Sequence, residues 1–195
     1  MNVTIEQRKF TLRSEYDITT PDSKFHAEKK LFSLTDRLRL QTEDGRVVAR
    51  IKGYFSLFRP KYDFDFLDGN LYRFRCESLW KGVFSCENGR DRFRLYQHKG
   101  RNFSVFQNEI QIAAFTKNRV TIGKGDRYGI RMNDDANILV IICLALTVDV
   151  SENDGDNSGS TVSIDLGNIG PEARPFDASW EPNKKATARA LHSTT

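Results

Sequence analysis

Three pairs of cations, each separated by a single residue, carry the clearest chemical signal in this chain: Arg50 with Lys52, Arg73 with Arg75, and Arg92 with Arg94. Successive side chains of a β-strand point to opposite faces, so a spacing of two puts both members of a pair on one face. Guanidinium groups held side by side can grip phosphate oxygens bidentately. The chemistry expected of these six residues is therefore anion binding, with an anionic phospholipid surface as the candidate partner. Near such a surface each cation contributes about 1 kcal/mol, so three or four on one patch would give weak, salt-sensitive attachment. The competing reading is that Asp63, Asp65, Glu77 and Asp91 neutralise the cations across neighbouring strands.

Other reaction chemistries find little to build on. His26, His98 and His192 are far apart, and neither C-x₂-C nor H-E-x-x-H occurs, so no metal or other cofactor is expected. Cys76, Cys86 and Cys143 read as small buried thiols, although Cys76 and Cys86 flank a hairpin and could approach each other. His98, beside Lys99 and Gly100, reads as a solvated turn histidine, and no G-x-S-x-G elbow supplies a nucleophile. The stretch Gly123-Lys124-Gly125-Asp126 lacks the remainder of a phosphate-binding loop and reads as a turn. Asp63 and Asp65 share a strand face and could do acid–base work only inside a cleft. The chain is expected not to be an enzyme, with no catalytic residue assigned.

The elements that must position the cations follow from periodicity. VVARIK, YDFDF, LYRFRC, RFRLY and RYGIRM alternate apolar or aromatic residues with charged ones, the pattern of half-buried strands. Glu43-Asp44-Gly45, Leu67-Asp68-Gly69-Asn70 and Glu87-Asn88-Gly89 provide tight hairpin turns between them. Some ten to twelve short strands result over residues 10–132, as in an all-β sandwich or barrel. The stretch NILVIICLALTVDV, residues 137–150, breaks the rhythm. Asp134, Asp135 and Asn137 offer N-cap oxygens, which predicts a helix over 135–148. Its continuous apolar part would rise only about 16 Å, against a hydrocarbon core of about 30 Å, so it cannot cross a bilayer alone. Being apolar on every side, it must be surrounded. A closed barrel with this helix inside satisfies that demand and removes exposed strand edges as well.

Charge divides the chain into a body and a tail. Residues 1–150 hold 26 basic and 19 acidic residues, and residues 151–195 hold four basic and seven acidic ones. The opening of the second part, SENDGDNSGS, has no large apolar residue, so 151–195 reads as a flexible acidic tail. Phe176 and Trp180 within it could dock on a partner or on the barrel. Three cysteines are too few for a disulfide-stapled secreted domain, and MNVTIEQRKF has no apolar leader core, so a cytoplasmic location is expected. Nucleic acid is the less favoured anionic partner, because the aromatics alternate inward and cannot stack on bases.

Consecutive short strands with Asp-Gly hairpins, a penultimate Gly125-Asp126-Arg127-Tyr128 strand and a closing Asp-Asp-Ala-x-Ile-Leu helix from Asp134 to Leu139 resemble the LURP-one-related group of the tubby C-terminal-like superfamily. Phospholipid scramblases are similar to that group. The resemblance covers about residues 10–150 and implies a closed antiparallel barrel of about twelve strands threaded by a central hydrophobic helix. It also implies phosphoinositide binding, as in tubby proteins, or phospholipid movement, as in scramblase-like members. No Pro-rich leader, cysteine cluster or acidic calcium loop of the scramblases is present. The leading expectation is a non-enzymatic domain, peripheral at a membrane, that binds anionic phospholipid or a protein through its basic surface. The alternatives are a scramblase-like, lipid-moving protein and a scaffold that recruits a protein through its tail.

Overall fold

The structure, a computed structural model, describes residues 1–9, 14–29, 36–54, 61–118, 126–157 and 171–184. Twelve strands run in chain order: β1 (Asn2–Lys9), β2 (Ser14–Thr19), β3 (Lys24–Lys29), β4 (Asp36–Thr42), β5 (Val47–Tyr54), β6 (Lys61–Phe66), β7 (Leu71–Ser78), β8 (Val83–Glu87), β9 (Arg92–His98), β10 (Asn102–Gln107), β11 (Ile110–Asn118) and β12 (Arg127–Met132). Each pairs antiparallel with the next, and β1 pairs with β12, so the sheet closes into a barrel. The alternation read from the sequence sets the phase. In β7, Tyr72, Phe74 and Cys76 are buried while Arg73 is exposed, and in β12 Tyr128, Ile130 and Met132 are buried while Arg127 and Arg131 are exposed. Apolar-in and charged-out is the inverse of a transmembrane barrel, whose outward positions face lipid. No helix among the described residues is long and apolar enough to cross a membrane.

The helix α1 (Ile138–Asn157) fills the barrel. All residues from 140 to 150 are at most 1 % exposed, which accounts for the absence of a polar face. Aromatic side chains supply much of the lining: Phe74 stacks on Phe64 at 6.0 Å and on Phe84 at 5.4 Å, and Phe103 stacks on Phe115 at 4.7 Å between ring centroids. Both helix limits differ from the 135–148 expected. At the start, Asn137 is the cap, its Oδ1 accepting from the Val140 N–H at 3.3 Å, while 134–136 form a turn. At the end, the helix continues past Val148 because its polar groups find partners inside. The hydroxyls of Thr147 and Ser151 donate to the carbonyls of Cys143 and Thr147 at 2.7 and 2.6 Å.

The hairpin turns use the expected dipeptides. Gly69 has φ +83°, a left-handed backbone that costs glycine little, and Asp68 accepts from both the backbone and side-chain amides of Asn70. The stretch Gly123-Lys124-Gly125 lies outside the described residues. Part of the tail lies against the barrel: residues 171–184 run across the outside, with the Asn183 N–H donating to Asn133 Oδ1 at 2.8 Å.

Cys76, Cys86 and Cys143 are buried and form no disulfide. Burial pushes the thiols of Cys86 and Cys143 far above the usual range, which leaves almost no thiolate. Titration of the native protein with a thiol-reactive dye at pH 8 is expected to label none of the three within minutes. All three should react once guanidinium unfolds the chain, and rapid native labelling would show that the barrel opens.

Candidate anion-binding face

Strands β5, β7 and β9 carry the three cation pairs, with β6 and β8 between them. All six cations lie at outward positions: Arg50, Arg73 and Arg92 are exposed, and Lys52, Arg75 and Arg94 are half-buried. With Lys61, the outward positions of β5–β9 hold seven cations against four carboxylates, Asp63, Asp65, Glu77 and Glu87.

Register decides how these charges meet. In one row across the barrel Lys52 lies beside Asp63, Asp63 beside Arg73, Arg73 beside Glu87 and Glu87 beside Arg92. Signs alternate along that row, so most of its field cancels. The row that includes Tyr54, Lys61, Arg75, Ser85, Arg94 and Phe106 contains no carboxylate. Arg50 stands apart from both rows, between Arg39 and Asp65. The structure thus aligns Arg75 and Arg94, adds Lys61, sets Arg92 close by, and leaves Arg50 elsewhere.

Ion pairs hold several of these side chains. Arg75 Nη1 is 2.9 Å from Asp63 Oδ1 and also donates to the carbonyls of Tyr62 and Phe74 at 2.8 and 2.7 Å. Lys52 meets Asp65 at 2.9 Å, Arg92 meets Glu77 at 3.4 Å, and Arg94 meets Glu109 at 3.2 Å. Asp91, expected to oppose an arginine, instead accepts from Tyr72 Oη at 3.1 Å and from Gln107 Nε2 at 3.1 Å. Apart from Arg75, these are exposed or half-exposed contacts, worth about 0–1 kcal/mol each, which an incoming anion can replace. A shallow depression opens at the end of the carboxylate-free row, lined by Arg92, Arg94, Phe106, Asn108 and Glu109.

The other reactive groups singled out have structural surroundings. Asp63 is engaged by Arg75, and Asp65 by Lys52. His98 ends β9 and is only 1 % exposed, contrary to the solvated turn expected, because tail residue Phe176 packs on it at 5.1 Å. Its Nε2 lies 2.7 Å from Ser104 Oγ, and burial pushes its pKa below the ordinary imidazole value. Among the described residues, no three His, Cys, Asp or Glu side chains converge to hold a metal.

A second charged cluster lies inside the barrel and was missed by motif reading. Asp149, fully buried near the end of the apolar run, accepts from Lys117 Nζ at 2.8 Å and Tyr128 Oη at 2.7 Å on one oxygen. Its other oxygen accepts from Tyr16 Oη at 2.6 Å and Gln7 Nε2 at 2.8 Å. Lys117 also meets Asp126 at 3.0 Å. The signal that could have found the cluster was phase: Gln7 and Lys117 fall at inward positions of β1 and β11, where the alternation calls for apolar residues.

A scan of family models matches the LURP-one-related description over residues 1–149. Neither the curated proteins nor the solved structures contain a match. The barrel and its buried helix lie within the matched span, apart from the last turns of the helix, and such a barrel is generally a non-catalytic fold. The chain belongs to the LURP-one-related family, within the tubby C-terminal-like superfamily.

Proposed function

We propose that this protein is a non-enzymatic binding domain that attaches to anionic phospholipid through the outer face of β5–β9, as a peripheral protein on the cytoplasmic side. The observation that carries this reading is the carboxylate-free row of Lys61, Arg75 and Arg94, which leads into the depression beside Arg92. Phosphate oxygens would replace Glu77 and Glu87 as the partners of Arg92, and Glu109 as the partner of Arg94, at the cost of three weak surface ion pairs. A protein partner with an acidic surface would use the same cations. The lipid-moving alternative needs a path for a headgroup across the bilayer, whereas a row of surface cations supplies a place to rest.

The test is co-sedimentation of the full chain with vesicles. Neutral phosphatidylcholine vesicles should bind poorly. Vesicles with phosphatidylserine or a phosphoinositide should bind at low salt and release at 0.5 M salt. Changing Lys61, Arg92 and Arg94 together to Gln should weaken binding by about 3 kcal/mol, roughly a hundredfold, with an unchanged melting temperature. Arg75 is left intact because its guanidinium also holds Asp63 and two backbone carbonyls. Equal binding to neutral vesicles, or a variant that binds like the parent, overturns the proposal.

A further inference from the structure

Outside the barrel, Val83, Tyr96 and Phe106 form an apolar cluster separate from the core. The two rings meet edge to face at 5.5 Å and 87°. The tail covers this patch. The Arg174 guanidinium lies 4.0 Å from the Phe106 ring centroid and 5.8 Å from that of Tyr96, with Nη1 3.7 Å from Glu109. Two residues earlier, Glu172 accepts the Lys99 N–H at 3.0 Å. Two residues later, Phe176 covers His98 at 5.1 Å. Ala173 and Pro175, between these contacts, are exposed.

The chain bends at Ala173 and Arg174, and the three contacts at every second residue are those of a short docked peptide read by its side chains. The pocket chemistry is specific. Two aromatic faces and a carboxylate select a guanidinium by cation–π attraction and charge, and a backbone N–H selects a carboxylate. Pro171 and Pro175 stiffen the segment, so little conformational freedom is lost on docking.

We infer that the face built by Val83, Tyr96, His98, Phe106 and Glu109 is a peptide-binding site for the pattern acidic-x-Arg-x-aromatic. In this chain residues 172–176 fill it, and a partner protein's segment with the same pattern competes for it. Glu172, Arg174 and Phe176 meet that pattern across a bend at Ala173 and Arg174, so the observed occupant defines the ligand. The site shares Phe106 and Glu109 with the depression at the end of the lipid-binding row, and peptide binding measured without vesicles tests it independently of that reading.

Tethering sets the expected magnitude. Residues 158–170 join the helix to the docked segment, and a tether of about that many residues gives an effective concentration of about 1 mM. For a free peptide with a Kd of about 100 µM, the tethered tail occupies the site about ten to one and raises the apparent Kd about tenfold.

The experiment uses the full chain and a fluorescein-labelled peptide of residues 171–184, followed by anisotropy. The double substitution Arg174→Ala and Phe176→Ala opens the site without altering the barrel. The opened chain should bind the peptide about tenfold more tightly than the parent chain. Adding Glu109→Gln to the opened chain should weaken that binding several-fold, and a peptide lacking Arg174 and Phe176 should bind neither chain. Should the opened chain, with a native melting profile, fail to bind the peptide or bind it no better than the parent, the inference is wrong.

Discussion

Changing Lys117 to Ala should remove about 3–5 kcal/mol of stability, a large fraction of the 5–15 kcal/mol of a typical domain. The cause is what the substitution leaves behind. Lys117 is the cation between Asp149 and Asp126, at 2.8 and 3.0 Å, and its side chain is 3 % exposed. Without it, Asp149 is a fully buried carboxylate facing the neutral donors Tyr16, Tyr128 and Gln7, and neutral hydrogen bonds do not repay the loss of water around a buried charge. A urea titration of parent and variant measures the cost. Pairing Lys117→Met with Asp149→Leu should recover part of it, since replacing both members of a buried ion pair by apolar groups is often nearly neutral, whereas here Asp126 still loses its lysine and Tyr16, Tyr128 and Gln7 lose their acceptor. A Lys117→Ala midpoint within 0.5 kcal/mol of the parent would contradict the geometry.

The same cluster sets a pH window. Burial pushes the Asp149 carboxyl up, but the Lys117 ammonium and the hydroxyls of Tyr16 and Tyr128 outweigh it and hold its pKa below the ordinary value. A folded-state pKa below the unfolded one means stability that is present above the unfolded pKa and lost as pH falls through the folded pKa. Tyr16 works in the opposite direction: burial, and then the charge of Asp149, push its phenol well above the ordinary range. Its contribution is present below the unfolded tyrosine pKa and is lost as pH rises through the folded one. Both contributions are therefore intact between roughly pH 5 and pH 9, and the acid limb of the stability curve should shrink in the double variant that lacks the Asp149 carboxylate.

Legibility in the sequence followed the range of the signal. Strand phase at Arg73 or Tyr128 is set by the next residue along, and turns at Gly45 and Gly69 by the dipeptide itself, so both could be read locally. The need for a closed barrel followed from a single helix without a polar face. The alignment of Arg75 with Arg94 was not accessible, because it depends on register through β8, where Ser85 rather than Glu87 lies between them. The Asp149 cluster joins residues from β1, β2, β11, β12 and α1, with Gln7 and Asp149 separated by 142 positions. Period-two analysis could mark Gln7 and Lys117 as out of phase but could not say what they meet. Acidic composition suggested a tail beginning at Ser151. Composition averages over Glu172, Arg174 and Phe176, whose alternation is the feature that fits the barrel.

Leu144→Ala, at the middle of the buried helix, is the second substitution with a large expected effect, about 2–5 kcal/mol. Helix propensity favours alanine slightly, so the whole loss comes from packing. Leu144 is 0 % exposed inside a sheet that is closed by hydrogen bonds on all twelve strands, and a ring of strands cannot collapse onto a cavity as freely as two helices can. The upper half of the range is therefore expected in urea titration. Leu144→Asp should leave no folded protein, because a carboxylate there has no counterpart to Lys117 and its desolvation exceeds the stability of the domain. Vesicle binding by Leu144→Ala, measured where the variant is still folded, should match the parent. The cations lie on the outside of the strands, and the helix contributes only to keeping the barrel closed. A Leu144→Ala protein that is stable but no longer binds anionic vesicles would mean that the interior sets the alignment of the outer rows, and that register alone does not.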